Sequence, residues 1–504
     1  MQVKEPRPAC DYSPRLAMRT PATFFAPPGL PALEREAPRP APAIIAPARL
    51  VAGPNALAFR WLGLSVTSLL LAGLLSLSVV VGRLPGISEL IGDPLFFKRC
   101  LVVHVNLALS VWFYAFVSAL ATLRAPAGNR RLDLAAYGLA VLGVATMLAG
   151  ALVRGAEPVL ANYIPVIDHP LYIAGLGLFF AAILLFVARR TGPAAGPADG
   201  GLPAEAAVGV QVCGIVLVLA AATWISARSA LPAGLNRLTF FEFSHWGAGH
   251  VLQVANVCAM LAVWLWLLQR ATGHSALTPR TAGVLFALLV APHFAMPLLS
   301  AQGVMHRTYI EGATLLMRWG IFPVVLLLFL VGVRHLRRHS LRPDDPAARL
   351  ARAGFVASAG LTLLGIVLGS LIRGSTSLVP AHYHASLGGV TAAFMTAAHL
   401  FFAPGLAAQR QRWIAARRQI IAFGLGQAVF ALGFGFAGIH GSGRKTYGSE
   451  QHVRTLGEQI GLGVMGLGGL VAAAAGIWFL ILIGRALRAR RAALVRTSLS
   501  PAHP

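Results

Sequence analysis

Charge is scarce in this chain of 504 residues, at 12%, and acidic charge is scarcer, with 17 Asp and Glu against 42 Lys and Arg. Hydrophobic residues make up 57%, and the mean hydropathy is positive, which excludes an ordinary set of soluble domains. Lysine occurs only at Lys4, Lys98 and Lys445, none of them inside an apolar run. The four cysteines, Cys10, Cys100, Cys213 and Cys258, have no CxxC spacing, so neither a disulfide framework nor a zinc site is indicated. There is also no internal repeat at a solenoid period.

What is present is apolar sequence in runs of membrane-crossing length, roughly 20 residues each. They fall at about 56–82, 100–123, 132–153, 169–188, 206–226, 246–269, 281–301, 309–333, 353–372, 385–407, 419–438 and 460–484. The fold class expected is therefore all-α, a polytopic membrane protein of about twelve helices, because a lipid-exposed span must satisfy its own backbone hydrogen bonds. The net charge of +25 does not indicate nucleic acid, since the arginines lie in alternate loops. Arg124 to Arg131, Arg189 and Arg190, Arg270 and Arg280, Arg334 to Arg352, Arg410 to Arg418 and Arg485 to Arg496 all follow even-numbered spans. The positive-inside rule places those loops and both termini in the cytoplasm, in an inner or plasma membrane. Residues 1–55, rich in Pro and Ala, read as a disordered cytoplasmic tail, residues 56–484 as the membrane core, and residues 485–504 as a basic cytoplasmic tail.

This orientation places five histidines at similar depth towards the outer face: His104 in the second span, His250 in the sixth, His293 in the seventh, and His382 and His384 at the start of the tenth. Polar residues in spans are costly and default to function, and neutral imidazole is a common ligand for metals and for haem iron. On a helix, positions i and i+2 point about 200° apart. His382 and His384 therefore face opposite sides of one helix, as two planar cofactors flanking it would require. Gly388 and Gly389, a turn further on, remove bulk where a macrocycle would approach. In "HWGAGH", Trp246 and His250 share a face at i and i+4, so the indole packs beside whatever His250 holds.

These residues resemble the catalytic subunit I of the haem–copper oxidase superfamily, which includes cytochrome c oxidases and related nitric oxide reductases. "AHYHASLGGVTAAF" looks like the family's tenth-helix signature, which implies His382 as axial ligand of the active-site haem and His384 of the low-spin haem. "RCLVVHVNLALSVWF" is similar to the second helix and implies His104 as the other low-spin ligand. "HWGAGH" resembles the sixth-helix pattern and implies His250 as a copper ligand beside Trp246, with His293 of "VAPHFAMPLLS" as another. "GIHGSGRKTYG" resembles the outer loop whose paired basic residues hold haem propionates, here Arg444 and Lys445; His245 or His440 could also reach a propionate. The resemblance implies two haems and one copper ion, with His382, His250 and His293 around the reduction of oxygen or nitric oxide.

The chain also departs from the family pattern. Its seventh span offers one histidine where the family normally has two adjacent, leaving Met296 or His306 as a further copper ligand. The residue four after His250 is Val254, where oxygen-reducing members commonly carry tyrosine and nitric oxide reductases often a carboxylate. The spans lack the lysines and most of the acids that mark proton channels in pumping oxidases. Glu311 and Arg318, seven residues apart, read as an internal polar pair on one helix face. With no CxxCH motif and no soluble copper domain, electrons are expected from a c-type cytochrome or quinol and through an accessory subunit. A membrane haem protein without working copper, acting as a diatomic sensor or electron conduit, is the rival from another class. A transporter accounts for the spans but not for the histidine depths.

Overall fold

The computed structural model describes residues 55–81, 93, 95–124, 129–192, 202–342, 344–402, 409–444 and 453–499. Most of the Pro- and Ala-rich segment, and Lys445, lie outside the described residues. Twelve long helices stand among those that are described. They are α1 Asn55–Val81, α2 Phe96–Arg124, α3 Arg130–Ala151, α4 Pro170–Ala188, α5 Ala204–Ser229 and α6 Arg237–Thr272. Then follow α7 Pro279–Ala301, α8 Arg307–Arg338, α9 Pro346–Ser370, α10 Leu378–Phe401, α11 Arg410–Ile439 and α12 Leu456–Leu499. The chain is thus an all-α, multi-pass membrane protein. Eleven of the helices are long and apolar enough to cross a bilayer. The exception is α10, whose 24 residues suffice in length but include His382, His384 and His399. The basic stretch after residue 484 continues α12 as helix to Leu499.

Local chemistry sets the helix boundaries. Asn129, Asn236, Thr278 and Asp345 each accept a hydrogen bond from a backbone N–H in the first turn of α3, α6, α7 and α9. Proline opens α4, α7 and α9, where a missing N–H costs nothing. Gly273, at φ 88°, closes α6 in the left-handed conformation that glycine adopts without penalty.

Three helices depart from regular α geometry. In α2 a π-turn covers Asn106–Val111, and in α8 another covers Leu316–Ile321. In α7, Pro292 breaks the hydrogen-bond ladder and a 3₁₀ turn forms over Ala291–Phe294. Such irregular turns often mark functional sites, and His293 lies inside the last of them.

A small antiparallel hairpin between α3 and α4 pairs β1 Glu157–Val159 with β2 Val166–Asp168. Arg237 at the start of α6 is ion-paired to Asp168 at 2.6 Å, so the hairpin lies over one end of the bundle, called here the hairpin end. At the opposite end, Asp133 is buried between Arg189 at 3.0 Å and Arg190 at 2.7 Å, and Arg270 meets Asp345 at 2.5 Å. Between the two ends, stacked aromatics such as Phe116 and Phe394, with ring centroids 4.4 Å apart, fill the core.

At the hairpin end, Arg99 fixes the first turn of α2, one turn above His104. It is buried, donates from Nε to the Ala151 carbonyl at 2.9 Å, and forms an ion pair with Asp93. That charge-assisted bond holds the Asp93 carboxyl below its ordinary pKa of 3.8. A carboxylate depressed in the folded state adds stability that is present above its unfolded pKa and lost as pH falls through the folded value. Asp93→Asn is expected to cost about 1–3 kcal/mol at neutral pH. Thermal unfolding in detergent should show the gap between wild type and variant closing below about pH 4.

Candidate metal centre

The start of α10 divides its two histidines between neighbours. His382 turns to α9, where its Nδ1 donates to the Gly365 carbonyl at 2.6 Å. A Cβ on Gly369 would lie 2.6 Å from that nitrogen, so α9 is bare where the imidazole passes. His384 turns the other way, its ring 4.7 Å from Phe430 of α11 and within electrostatic reach of His104. His104, on α2, donates from Nδ1 to the Ala72 carbonyl of α1 at 2.8 Å. The opposite facing of His382 and His384 therefore appears as contacts with α9 and α11. Gly389 has a different part from the one expected of it. A Cβ there would meet Thr362 Oγ1 at 2.4 Å and the Ser358 carbonyl at 2.9 Å, so this glycine lets α10 pack on α9 rather than opening room for a macrocycle.

The second cluster is built around α6. His250 is buried, donates from Nδ1 to the Trp246 carbonyl at 2.9 Å, and packs against the Trp246 ring at 4.0 Å. The indole also meets the ring of Tyr309 of α8, with centroids 5.1 Å apart. His293 from α7, also buried and within electrostatic reach of His250, donates from Nδ1 to the Leu289 carbonyl at 3.0 Å. Its Nε2 is buried with no hydrogen bond of normal geometry, and the Leu316 backbone stands near the ring. Gly320, in the π-turn of α8, has no side chain where a Cβ would stand 2.6 Å from the His293 ring.

A pattern links four of these imidazoles. A carbonyl only accepts, so in His104, His250, His293 and His382 the proton sits on Nδ1 and the lone pair on Nε2. Ligating histidines are oriented in this way, their second nitrogen anchored to a carbonyl. The exposed His440 makes the same bond to Phe436 at 2.9 Å, so the bond alone does not make a ligand. Burial of the free nitrogen does more, because an unpaired polar atom in an apolar interior costs about 1–3 kcal/mol unless something binds it. His293 Nε2 is such an atom, and the donor set fits imidazole-bound haem iron and copper. Among the described residues, however, no group of three His, Cys, Asp or Glu is placed to hold a metal ion.

The residue absent from the sequence reading is Tyr163, at the tip of the hairpin. Its hydroxyl donates to His250 Nε2 at 3.1 Å, and the two rings lie 4.8 Å apart. Its backbone takes φ 65°, uncommon outside glycine. Burial raises its phenol above the ordinary range, so the hydroxyl stays protonated. The glycines of "HWGAGH" acquire a purpose here. A Cβ on Gly249 would stand 2.4 Å from Tyr163 Cβ, and one on Gly247 2.3 Å from the Tyr309 hydroxyl.

The tip is tied down from several sides. Asn162 donates from its backbone N–H to Glu242 at 2.7 Å and from its side chain to the same carboxylate. Arg444 donates to Asn162 Oδ1 at 2.6 Å, and Asn106, at the π-turn of α2, donates to the Pro165 carbonyl at 2.7 Å.

The remaining candidates separate. His306 is exposed at the start of α8, whereas Met296 is buried in α7. Val254 is fully buried. Glu311 bonds Arg307 at 2.6 Å and not Arg318, which is exposed. The π-turn beginning at Leu316 adds a residue to that turn, so a separation of seven no longer returns to the same face. His245 stacks on Phe241 at 5.9 Å, and His399, at the far end of α10, faces Gln419 at 3.4 Å.

No family model matches the chain. An uncharacterized protein of Aquifex aeolicus is 28% identical over 336 residues, covering 66% of this chain and 80% of its own length. An uncharacterized protein of Rickettsia prowazekii is 23% identical over 500 residues, covering 86% and 96%. Among solved structures, a haem–copper terminal oxidase dimer studied by cryo-electron microscopy aligns with a TM-score of 0.59 at 15% identity, over 89% of this chain and 85% of that one. At that identity the likeness is one of fold.

Glu242→Ala removes both bonds that Asn162 makes to the carboxylate. Amide exchange across residues 160–165 is expected to accelerate about tenfold to a hundredfold, the equivalent of ~1.4–3 kcal/mol. Hydrogen–deuterium exchange with mass spectrometry reads this directly, and the helix ends of α3 and α4 serve as internal controls.

Proposed function

We propose that this protein is a membrane oxidoreductase of the haem–copper oxidase kind, reducing oxygen or nitric oxide with electrons delivered by a c-type cytochrome or quinol through an accessory subunit. The observation that carries the reading is the shared state of four buried or half-buried imidazoles on separate helices at the hairpin end. Each gives its Nδ1 proton to a carbonyl and keeps the Nε2 lone pair. The fold likeness to a terminal oxidase supports it.

In this reading His104 and His384 would hold a low-spin haem, His382 would hold a second haem, and His250 and His293 would hold copper. When bound, these groups supply the electron transfer and the redox chemistry at the diatomic substrate. The chain supplies orientation. The Nδ1–H bonds fix each ring and raise the basicity of Nε2, and Trp246 walls one side of His250. Arg444 and Lys445 would neutralise haem propionates, Arg444 being braced by Asn162. The arginine-rich end and both termini face the cytoplasm of a bacterial-type inner membrane. Among the described residues no third His, Cys, Asp or Glu joins His250 and His293, which favours one second reading, a haem-only electron conduit or sensor.

Metal and haem analysis of the purified chain, with reduced-minus-oxidised spectra, is the test. Two haems and one copper per chain are expected. His384→Ala should abolish the bis-histidine low-spin spectrum, and His382→Ala should leave it in place. Protein free of haem sinks the proposal, and haem without copper moves the assignment to the conduit.

A further inference from the structure

We infer that Tyr163 is the third donor of the metal site that His250 and His293 begin, its phenol oxygen binding the same ion as His250 Nε2. The inference rests on the haem–copper reading above and adds a residue from an extramembrane loop that no sequence pattern marks. It begins with a distance. Two donors each about 2.0 Å from one first-row ion, at an angle between square and tetrahedral, stand about 2.8–3.3 Å apart. Tyr163 Oη and His250 Nε2 stand 3.1 Å apart. That is also the length of the hydrogen bond they make, so an ion bound by both would replace the phenol proton after a small turn of the rings that brings both lone pairs onto it. His293 Nε2, buried and without a hydrogen bond, is the donor from α7 that the proposal adds to this pair.

The surroundings are shaped for this oxygen to stay. Gly249 leaves out the one atom that would strike the tyrosine ring, 2.4 Å from Cβ. The left-handed backbone at φ 65° costs on the order of 1 kcal/mol or more and persists because its neighbours hold it. Those neighbours come from three directions: Glu242 of α6 and Arg444 grip Asn162, and Asn106 of α2 grips Pro165. A loop that only covered the bundle would not need a strained residue, a missing side chain and three anchors to bring one hydroxyl to one nitrogen. Binding is balanced simply: the ion takes the phenolate oxygen, and the phenol proton leaves to solvent.

The experiment compares wild type with Tyr163→Phe, both purified as the full chain with haem bound. Copper is titrated and read by mass spectrometry, electron paramagnetic resonance and visible absorption. Wild type should bind one copper and show a phenolate-to-copper charge-transfer band. Tyr163→Phe should lose the band and bind copper about 100-fold more weakly or worse, beyond the about 10–100-fold cost of losing an outer partner. Its haem content should match wild type, which shows that the variant has folded. Tyr163→His, which returns a donor nitrogen, should recover copper without the band, so the inference stays open to test if the phenylalanine variant misfolds. Copper bound by Tyr163→Phe with wild-type affinity and resonance overturns the inference. So does wild-type protein that binds copper without a phenolate band. Wild type that carries haem and takes no copper also overturns it while leaving the haem relay intact, and wild type without haem removes the underlying reading instead.

Discussion

An imidazole placed among apolar helices has two nitrogens and little to give them, and the hairpin end of this bundle is organised around that constraint. One nitrogen is satisfied by a backbone carbonyl, from the same helix for His250 and His293 and from a neighbouring helix for His104 and His382. That single bond sets the tautomer, fixes the ring plane and leaves a lone pair on the far nitrogen. The two same-helix cases use carbonyls four residues back. The two cross-helix cases require α1 against α2 and α9 against α10 at close range. For the second pair, glycines at positions 369 and 389 remove the atoms that would hold the helices apart.

The irregular turns serve the same end. Pro292 interrupts α7 and puts His293 in a 3₁₀ turn, while the π-turn of α8 presents the bare Gly320 to its ring. The π-turn of α2 follows His104 by two residues and brings Asn106 to the Pro165 carbonyl, joining the proposed low-spin ligand helix to the loop that carries Tyr163. Asn162 then connects that loop to α6 through Glu242 and to the segment after α11 through Arg444. One short hairpin tip thus touches the helices of both histidine clusters. In a bundle where lipid offers no polar partners, such dense bonding gathers at the end where side chains can still find donors and acceptors.

Much of the fold was legible in the sequence, for a definite reason. Apolar runs of bilayer length become helices because lipid leaves the backbone no alternative, so about twelve runs imply about twelve helices. The composition of α10 blurred its own signal, since its three histidines lower its hydropathy. Less legible was anything that depends on helix irregularity. The seven-residue spacing of Glu311 and Arg318 implies a shared face only if every turn is α, and the π-turn at Leu316 breaks that assumption. Gly389 reads equally well as room for a ligand or as room for a neighbouring helix, and only the position of Thr362 decides between them.

The sequence by itself determined the membrane-spanning class, the order of the helices and which helices carry the histidines, because these follow from composition and from spacing along one chain. The tertiary structure alone decided which carbonyl each imidazole meets, that His293 keeps an unpartnered nitrogen, and that Tyr163 stands at His250. Tyr163 and His250 are 87 residues apart, and no periodicity links them. Their meeting depends on where a hairpin folds back over the bundle and on the hydrogen bonds that hold it there, and such contacts are set by three-dimensional packing rather than by local pattern.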